Sequence, residues 1–226
     1  MQIATTNPEA LAAPPSIDAS SLYDMVLNGG PLMVPIALCS IVALAYTVER
    51  WTRLRSGALG GQRLVGTLVE NVRMNGPQRG LELCEQSRTS LARILAVGLR
   101  LRGQPFLEIE KAVEDAGSRE VGRLSANLRP LVVVAMIAPL LGLLGTVWGM
   151  IGAFGNIALQ DGLGKPELLA SGISQALITT AAGLAVAIPT QAAYYWFKSR
   201  IERFIRLTED AHLELSAVEV LPEEAA

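Results

Sequence analysis

Thr146, Ser171, Gln175, Thr179 and Thr180 carry hydroxyls and an amide inside long uncharged stretches of a 226-residue chain. In hydrocarbon an unsatisfied polar group is costly, so each of these must face protein or water. Ser171, Gln175 and Thr179 recur every fourth residue, which on a helix stacks them on one face, with Thr180 and Gly183 beside them. A threonine can return its hydroxyl to its own i−4 carbonyl. The Gln175 amide, with two donors and an acceptor, is not satisfied that way. Such a stripe fits a tightly packed bundle with no transport role, or a path through the membrane. No Asp, Glu, Lys, Arg or His accompanies it in these stretches, although proton and ion pathways normally use an ionisable group. The chain alone is therefore not a complete proton relay: either it moves no ions, or a partner supplies the titrating group.

Other chemistries find little to use. No nucleophile stands with a base, and no paired carboxylates or phosphate loop lie outside the apolar runs, so the chain does not read as an enzyme. One histidine, His212, and no CxxC or HExxH spacing leave no metal site, and nothing calls for a cofactor. His212 falls on a charged tail helix and reads as a solvated surface residue. Cys39, in an apolar run, and Cys84, on a helical face, read as packing residues and exclude a disulfide framework. With 19 Lys+Arg against 21 Asp+Glu there is no basic field to attract nucleic acid.

The elements that must hold the polar stripe follow from where charge is missing. Only 18% of residues are charged and mean hydropathy is positive, because charges are absent between Asp24 and Glu49, between Arg129 and Asp161, and between Glu167 and Lys198. At about 1.5 Å per residue each run can cross a hydrocarbon core of about 30 Å. The expectation is an all-α integral membrane protein with three transmembrane helices, at 26–48, 130–158 and 169–197. The second and third extend as long helices into a cytoplasmic helical domain, 49–129, and a C-terminal helix and tail, 198–226. Residues 1–25 form an external arm and 159–168 an external loop. Residues 1–30 lack Lys and Arg, so no secretory signal is expected there.

Orientation follows from the basic residues. None precedes the first span, fourteen lie from Arg50 to Arg129, Lys165 alone lies between the second and third spans, and four run from Lys198 to Arg206. The positive-inside bias puts 49–129 and the C-terminus in the cytoplasm. Tyr46 and Trp51 after the first span, with Tyr194, Tyr195 and Trp196 after the third, mark an aromatic belt at that same interface. Within 49–129, Leu64, Val65, Leu68, Val69 and Val72 recur at helical spacing, as do Leu91, Ile94 and Leu95, punctuated by Gly76-Pro77 and Gly103-Gln104-Pro105. Ile109, Val113, Ala116, Val121, Leu124 and Leu128 form a stripe predicted to continue without a break into the second span. Ile201, Phe204, Ile205 and Leu215 keep the same period after the third.

The second span is crowded with small residues, including Ala138, Gly142, Gly145, Gly149 and Gly152. Lipid supplies no hydrophobic drive between helices, so association needs small residues that let backbones approach; Gly183 serves the same end in the third span.

The run Ala138-Pro139-Leu140-Leu141-Gly142-Leu143-Leu144-Gly145-Thr146-Val147-Trp148-Gly149-Met150 closely resembles the second span of the ExbB, TolQ and MotA family of proton-channel subunits. Gly172 to Leu184, followed by Ala187-Ile188-Pro189, looks like that family's third span. The likeness covers about residues 105 to 200, and three spans resemble ExbB and TolQ more than MotA. It implies an inner-membrane homopentamer around a pore that holds two single-span ExbD- or TolR-type helices, whose aspartate carries the proton, and a TonB- or TolA-like protein that receives the work and reaches the outer membrane. By motif position Thr146 and Thr180 match pore-facing threonines, with Gln175 and Thr179 along the same route. Gln175 departs from the glutamate that ExbB carries, so it cannot titrate. A membrane scaffold that conducts nothing remains the alternative reading of the same glycines and hydroxyls.

Overall fold

The structure, a computed structural model, describes residues 29–54, 59–158 and 166–220. The external arm expected at 1–25, most of the expected 159–168 loop and the final residues 221–226 lie outside them. Among the described residues there are seven long helices and no strand: α1 (Met33–Arg53), α2 (Gln62–Asn75), α3 (Pro77–Gln86), α4 (Ser90–Arg100), α5 (Phe106–Ala126), α6 (Arg129–Ala158) and α7 (Pro166–Val220). Three stretches are helical, long and apolar enough to cross a membrane: α1, the α5–α6 run, and α7. The protein is an all-α integral membrane protein.

The stripe expected to run unbroken from residue 105 into the second span is two helices. It is interrupted at Asn127–Leu128, where Leu128 N–H turns back to the Ser125 carbonyl at 2.9 Å. Pro130 is the cause. It has no N–H to give the helix and its ring crowds the carbonyl four residues earlier; here the chain turns at Asn127–Leu128 and takes Pro130 into the first turn of a new helix. The third span and the tail helix, by contrast, are one element, α7, which carries Pro189 in its interior.

Two compact units divide the chain. The larger takes residues 37–138 and 185–226, and most of α4 is buried within it. Leu91, Ala92, Ile94 and Leu95 are almost wholly buried, and Thr89 caps the helix by accepting the Ala92 N–H at 3.3 Å. Around α4 pack Val65, Leu68 and Val72 of α2, Val113 of α5, Leu131 of α6, and Phe197, Ile201, Phe204, Ala211 and Leu215 of α7. Each large side chain so buried contributes about 1.5–3 kcal/mol. The stripes expected at Ile109–Leu128 and Ile201–Leu215 both face this core. Gly76 ends α2 at φ +81°, a conformation that favours glycine, and Pro77 opens α3. Trp51 of α1 stacks on Trp196 of α7, centroids 4.9 Å apart, with the Arg200 guanidinium 5.5 Å from the Trp196 ring.

The smaller unit takes residues 1–36 and 139–184, its described part being 29–36, 139–158 and 166–184. Met33, Ile36, Ala153, Ala176 and Thr179 are buried in it, whereas Leu140, Leu143, Val147, Trp148, Ile151 and Phe154 of α6 face outward. An outer surface this apolar suits lipid or other membrane helices.

Candidate functional site in the paired membrane helices

Glycines of α6 bring it against the polar residues of α7. A Cβ on Gly142 would stand 3.0 Å from the Thr180 Cα and 3.2 Å from the Thr179 carbonyl oxygen. On Gly145 it would stand 2.7 Å from the Thr179 Cβ, and on Gly149 3.2 Å from the Ala176 Cβ and the Gly172 carbonyl oxygen. Only hydrogen at these positions permits the approach. Gly183 is buried in α7, whereas Gly152 is exposed and a methyl there would meet nothing within 4 Å, so Gly152 takes no part in this contact within one chain.

The closeness lets α7 hydroxyls reach beyond their own helix. Thr180 Oγ1 donates to the Gly142 carbonyl across the helix pair at 3.0 Å. Thr179, only 1% exposed, holds its hydroxyl between the carbonyls of Gly29 at 2.9 Å and of its own-helix Gln175 at 2.8 Å. One hydroxyl proton serves both, so the bond is shared or alternates. The Gln175 side chain is half-buried against Gly30. There φ is +75°, and a Cβ would come within 3.2 Å of the Gln175 Cδ. Gly30 thus admits both the turn into α1 and the amide packed on it.

Thr179, Thr180 and Gln175 are therefore gathered around Gly29–Gly30 and Gly142–Gly145. Thr146 is not drawn into that group. It is half-buried, donates to the Leu143 carbonyl of its own helix at 2.7 Å, and lines an open recess with Val147, Met150, Ile151 and Phe154. Ser171 is exposed. Gly29 and Gly30 escape sequence reasoning because a backbone carbonyl and a missing side chain leave no polar signature.

In the larger unit, a buried carboxylate was also not singled out. Glu120 of α5, 8% exposed, accepts from Ser90 Oγ at 2.7 Å and pairs with Arg93 of α4, with Arg123 at 3.8 Å. Its signal is register: Glu120 falls four residues after Ala116 and four before Leu124, on the apolar face of α5. Cys84 is 3% exposed, and burial, then the neighbouring Glu85, push its thiol up to about 11. Such a thiol is inert. His212 requires correction: it is not a solvated surface residue but is half-buried, with Nε2 fully covered and without a hydrogen-bond partner. The charged tail around it suggests solvent, but Ala211 and Leu215 of the same helix are buried in the core that holds Leu91, Ile94 and Val113, and the ring is partly covered with them. Among the described residues no group of three or more His, Cys, Asp or Glu could hold a metal ion.

Residues 86–210 match the family model described as the MotA/TolQ/ExbB proton channel family, more than half of the chain. The chain belongs to that family. All of the polar residues and glycines at the α6–α7 contact lie within the matched residues of this proton channel family member, while α1 and α2 lie before them. The chain is 37% identical over 173 residues to an ExbB-like biopolymer transport protein (ExbB-like 1) of Synechocystis sp., covering 74% of this chain and 66% of that one. It is 31% identical over 180 residues to the biopolymer transport protein exbB1 of Vibrio cholerae, covering 76% and 77%. It is 27% identical over 208 residues to the Tol-Pal system protein TolQ of Pseudomonas aeruginosa, covering 85% and 89%. Family membership and the three apolar helices together make the chain a multi-pass membrane subunit.

Proposed function

We propose that this protein is the stator-like subunit of a proton-motive-force-driven motor of the inner membrane. Five copies surround two single-span helices of the ExbD or TolR type, and the assembly energises a TonB- or TolA-like protein for outer-membrane transport or envelope work. The observation that carries this reading is the α6–α7 contact: hydroxyls and an amide held at fixed positions in the uncharged stretches of the two helices, with no ionisable side chain among them. A site of that composition can hydrogen-bond a carboxyl group but cannot titrate, so the proton carrier is a carboxylate on the partner helix. A hydroxyl oxygen accepts from the carboxylic acid while its own proton stays in place, and it donates to the carboxylate by giving up its present acceptor, Gly142 for Thr180 and Leu143 for Thr146. Thr146, half-buried beside its recess, gives up only an own-helix bond to do so. Thr179 and Gln175 hold the Gly29–Gly30 turn beside that route, and Gly152 packs between chains. The apolar outer faces of α1 and α6 lie in lipid or against neighbouring copies.

The charge bias sets residues 1–25 and 159–168 outside and 49–129 and 198–226 inside. A single cysteine at Ser20 or Arg102, in a chain lacking Cys39 and Cys84, reads this directly. An impermeant thiol reagent labels Ser20→Cys in intact cells and leaves Arg102→Cys unlabelled; the reverse overturns the topology. Assembly is tested by co-purification with a single-span protein carrying a membrane carboxylate and by the native mass of the complex. A monomer or dimer that retains full transport activity contradicts the proposal.

A further inference from the structure

His212 is the chain's sole histidine and lies two residues beyond the matched family region. It sits on α7 where that helix packs on α4 through Gly98: a Cβ on Gly98 would stand 3.2 Å from Val113 Cγ2 and 3.8 Å from His212 Nδ1. Ala211 and Leu215 on either side are buried in the same core. The ring's Nε2 is covered and unpartnered, an arrangement that is unfavourable even for a neutral nitrogen and more so for a charged one.

Beside the ring runs a groove of about 560 Å³ between α5 and α7. Its floor is apolar, with Ile94, Val113 and Phe204 among its residues. Three exposed carboxylates line it, Glu110 and Glu114 from α5 and Glu209 from α7 itself; α4 contributes Ile94 and no ionisable group. Thr208 returns its hydroxyl to Phe204 of its own helix at 2.8 Å, so it offers the imidazole no donor. The neutral ring thus packs with Nε2 covered beside Gly98 of α4, and the groove that the ring itself borders offers a charged ring three carboxylates.

We propose that His212 is an acid-sensitive latch: neutral, it locks the C-terminal part of α7 onto α4 and α5; protonated, it moves into the groove toward Glu110 and its neighbours and releases that segment. The direction agrees with the electrostatics, since burial lowers the imidazole pKa from 6.5 more than Glu110 raises it. A depressed histidine pKa leaves the latch at full strength above pH 6.5. The latch weakens as pH falls from 6.5 toward the lower value of the packed state, because only the released state binds the proton readily.

The sole histidine gives a single, assignable signal. In the full chain in lipid nanodiscs, labelled with ¹⁵N-histidine, the ring is expected to titrate below 6.5. Hydrogen exchange of residues 208–217 is then expected to speed up on acidification relative to His212→Phe measured at the same pH. The maximal excess is about tenfold for each unit by which the ring titrates below 6.5. His212→Asn, smaller and also neutral, provides the same comparison if phenylalanine does not pack. Glu110→Gln is expected to lower the titration midpoint further. Titration at or above 6.5, or equal exchange in the wild type and both neutral variants across pH 7.5 to 5, overturns the latch.

Discussion

Replacing Gly145 by alanine adds one methyl group at the tightest point between α6 and α7. The new Cβ would stand 2.7 Å from the Thr179 Cβ, with the Thr179 Cγ2 methyl closer still, where carbon atoms prefer about 3.5–4.0 Å. Thr179 cannot rotate aside cheaply, because it is buried and its hydroxyl is held by Gly29 and Gln175. The helices must therefore separate locally by about 1 Å, enough to stretch the 3.0 Å Thr180–Gly142 bond past useful length. Overpacking costs about 1–3 kcal/mol and the lost hydrogen bond about 1 kcal/mol. Alanine's better helix propensity returns about 1 kcal/mol, for a net loss of about 1–3 kcal/mol. Gly152→Ala receives the same propensity gain with nothing within 4 Å to strike. The two variants, unfolded reversibly as separated single chains in mixed detergent micelles, where Gly152 meets no neighbouring copy, and followed by tryptophan fluorescence, are expected to move in opposite directions. Equal stabilities within about half a kcal/mol would refute close glycine packing as the basis of the α6–α7 contact.

Thr180→Val keeps the shape but removes the donor to Gly142; it is expected to cost about 0.5–1.5 kcal/mol on the same unfolding assay, leave native mass unchanged and abolish energised transport. Glu120→Ala strands Ser90 and Arg93 and is expected to lose about 1–3 kcal/mol, seen as a lower Tm of the detergent-solubilised chain, whereas alanine at the exposed Arg100–Glu85 pair shifts it little. Cys84, with its thiol near 11, is about a thousandth thiolate at pH 8, so maleimide labelling of the folded protein is expected to be slow, to rise about tenfold per pH unit up to about pH 11, and to become fast at pH 8 on denaturation.

The helices of this protein were legible in its sequence because charge and hydropathy act on every residue of a long element. Gaps in charge located the three apolar stretches, and the Gly76-Pro77 and Gly103-Gln104-Pro105 punctuation fell between helices. The break at Asn127–Leu128 was missed because the apolar period of α5 carries across Pro130, and a proline does not by itself announce a break: Pro139 and Pro189 lie inside continuous helices. At the site, the α7 face bearing Gln175, Thr179 and Thr180 followed from spacing, and glycine crowding pointed to α6 as its neighbour. The Gly29 carbonyl, the Gly30 turn and the withdrawal of Thr146 onto Leu143 depend on which atoms meet in three dimensions, to which composition is blind. His212 shows the same limit. Asp210 and Glu214 stand two residues to either side in sequence, but in space the ring lies beside Gly98.

The central claim is that this chain positions a proton it cannot itself carry, and proton flux into liposomes under an imposed gradient tests it most directly. The purified chain is reconstituted alone, with its single-span carboxylate-bearing partner, and with that partner's membrane aspartate changed to asparagine. Flux is predicted only for the intact pair, falling to the level of the chain alone when the aspartate is replaced or when Thr146 and Thr180 are both valine. Comparable flux from the chain alone, or undiminished flux from the double valine variant, would contradict the account.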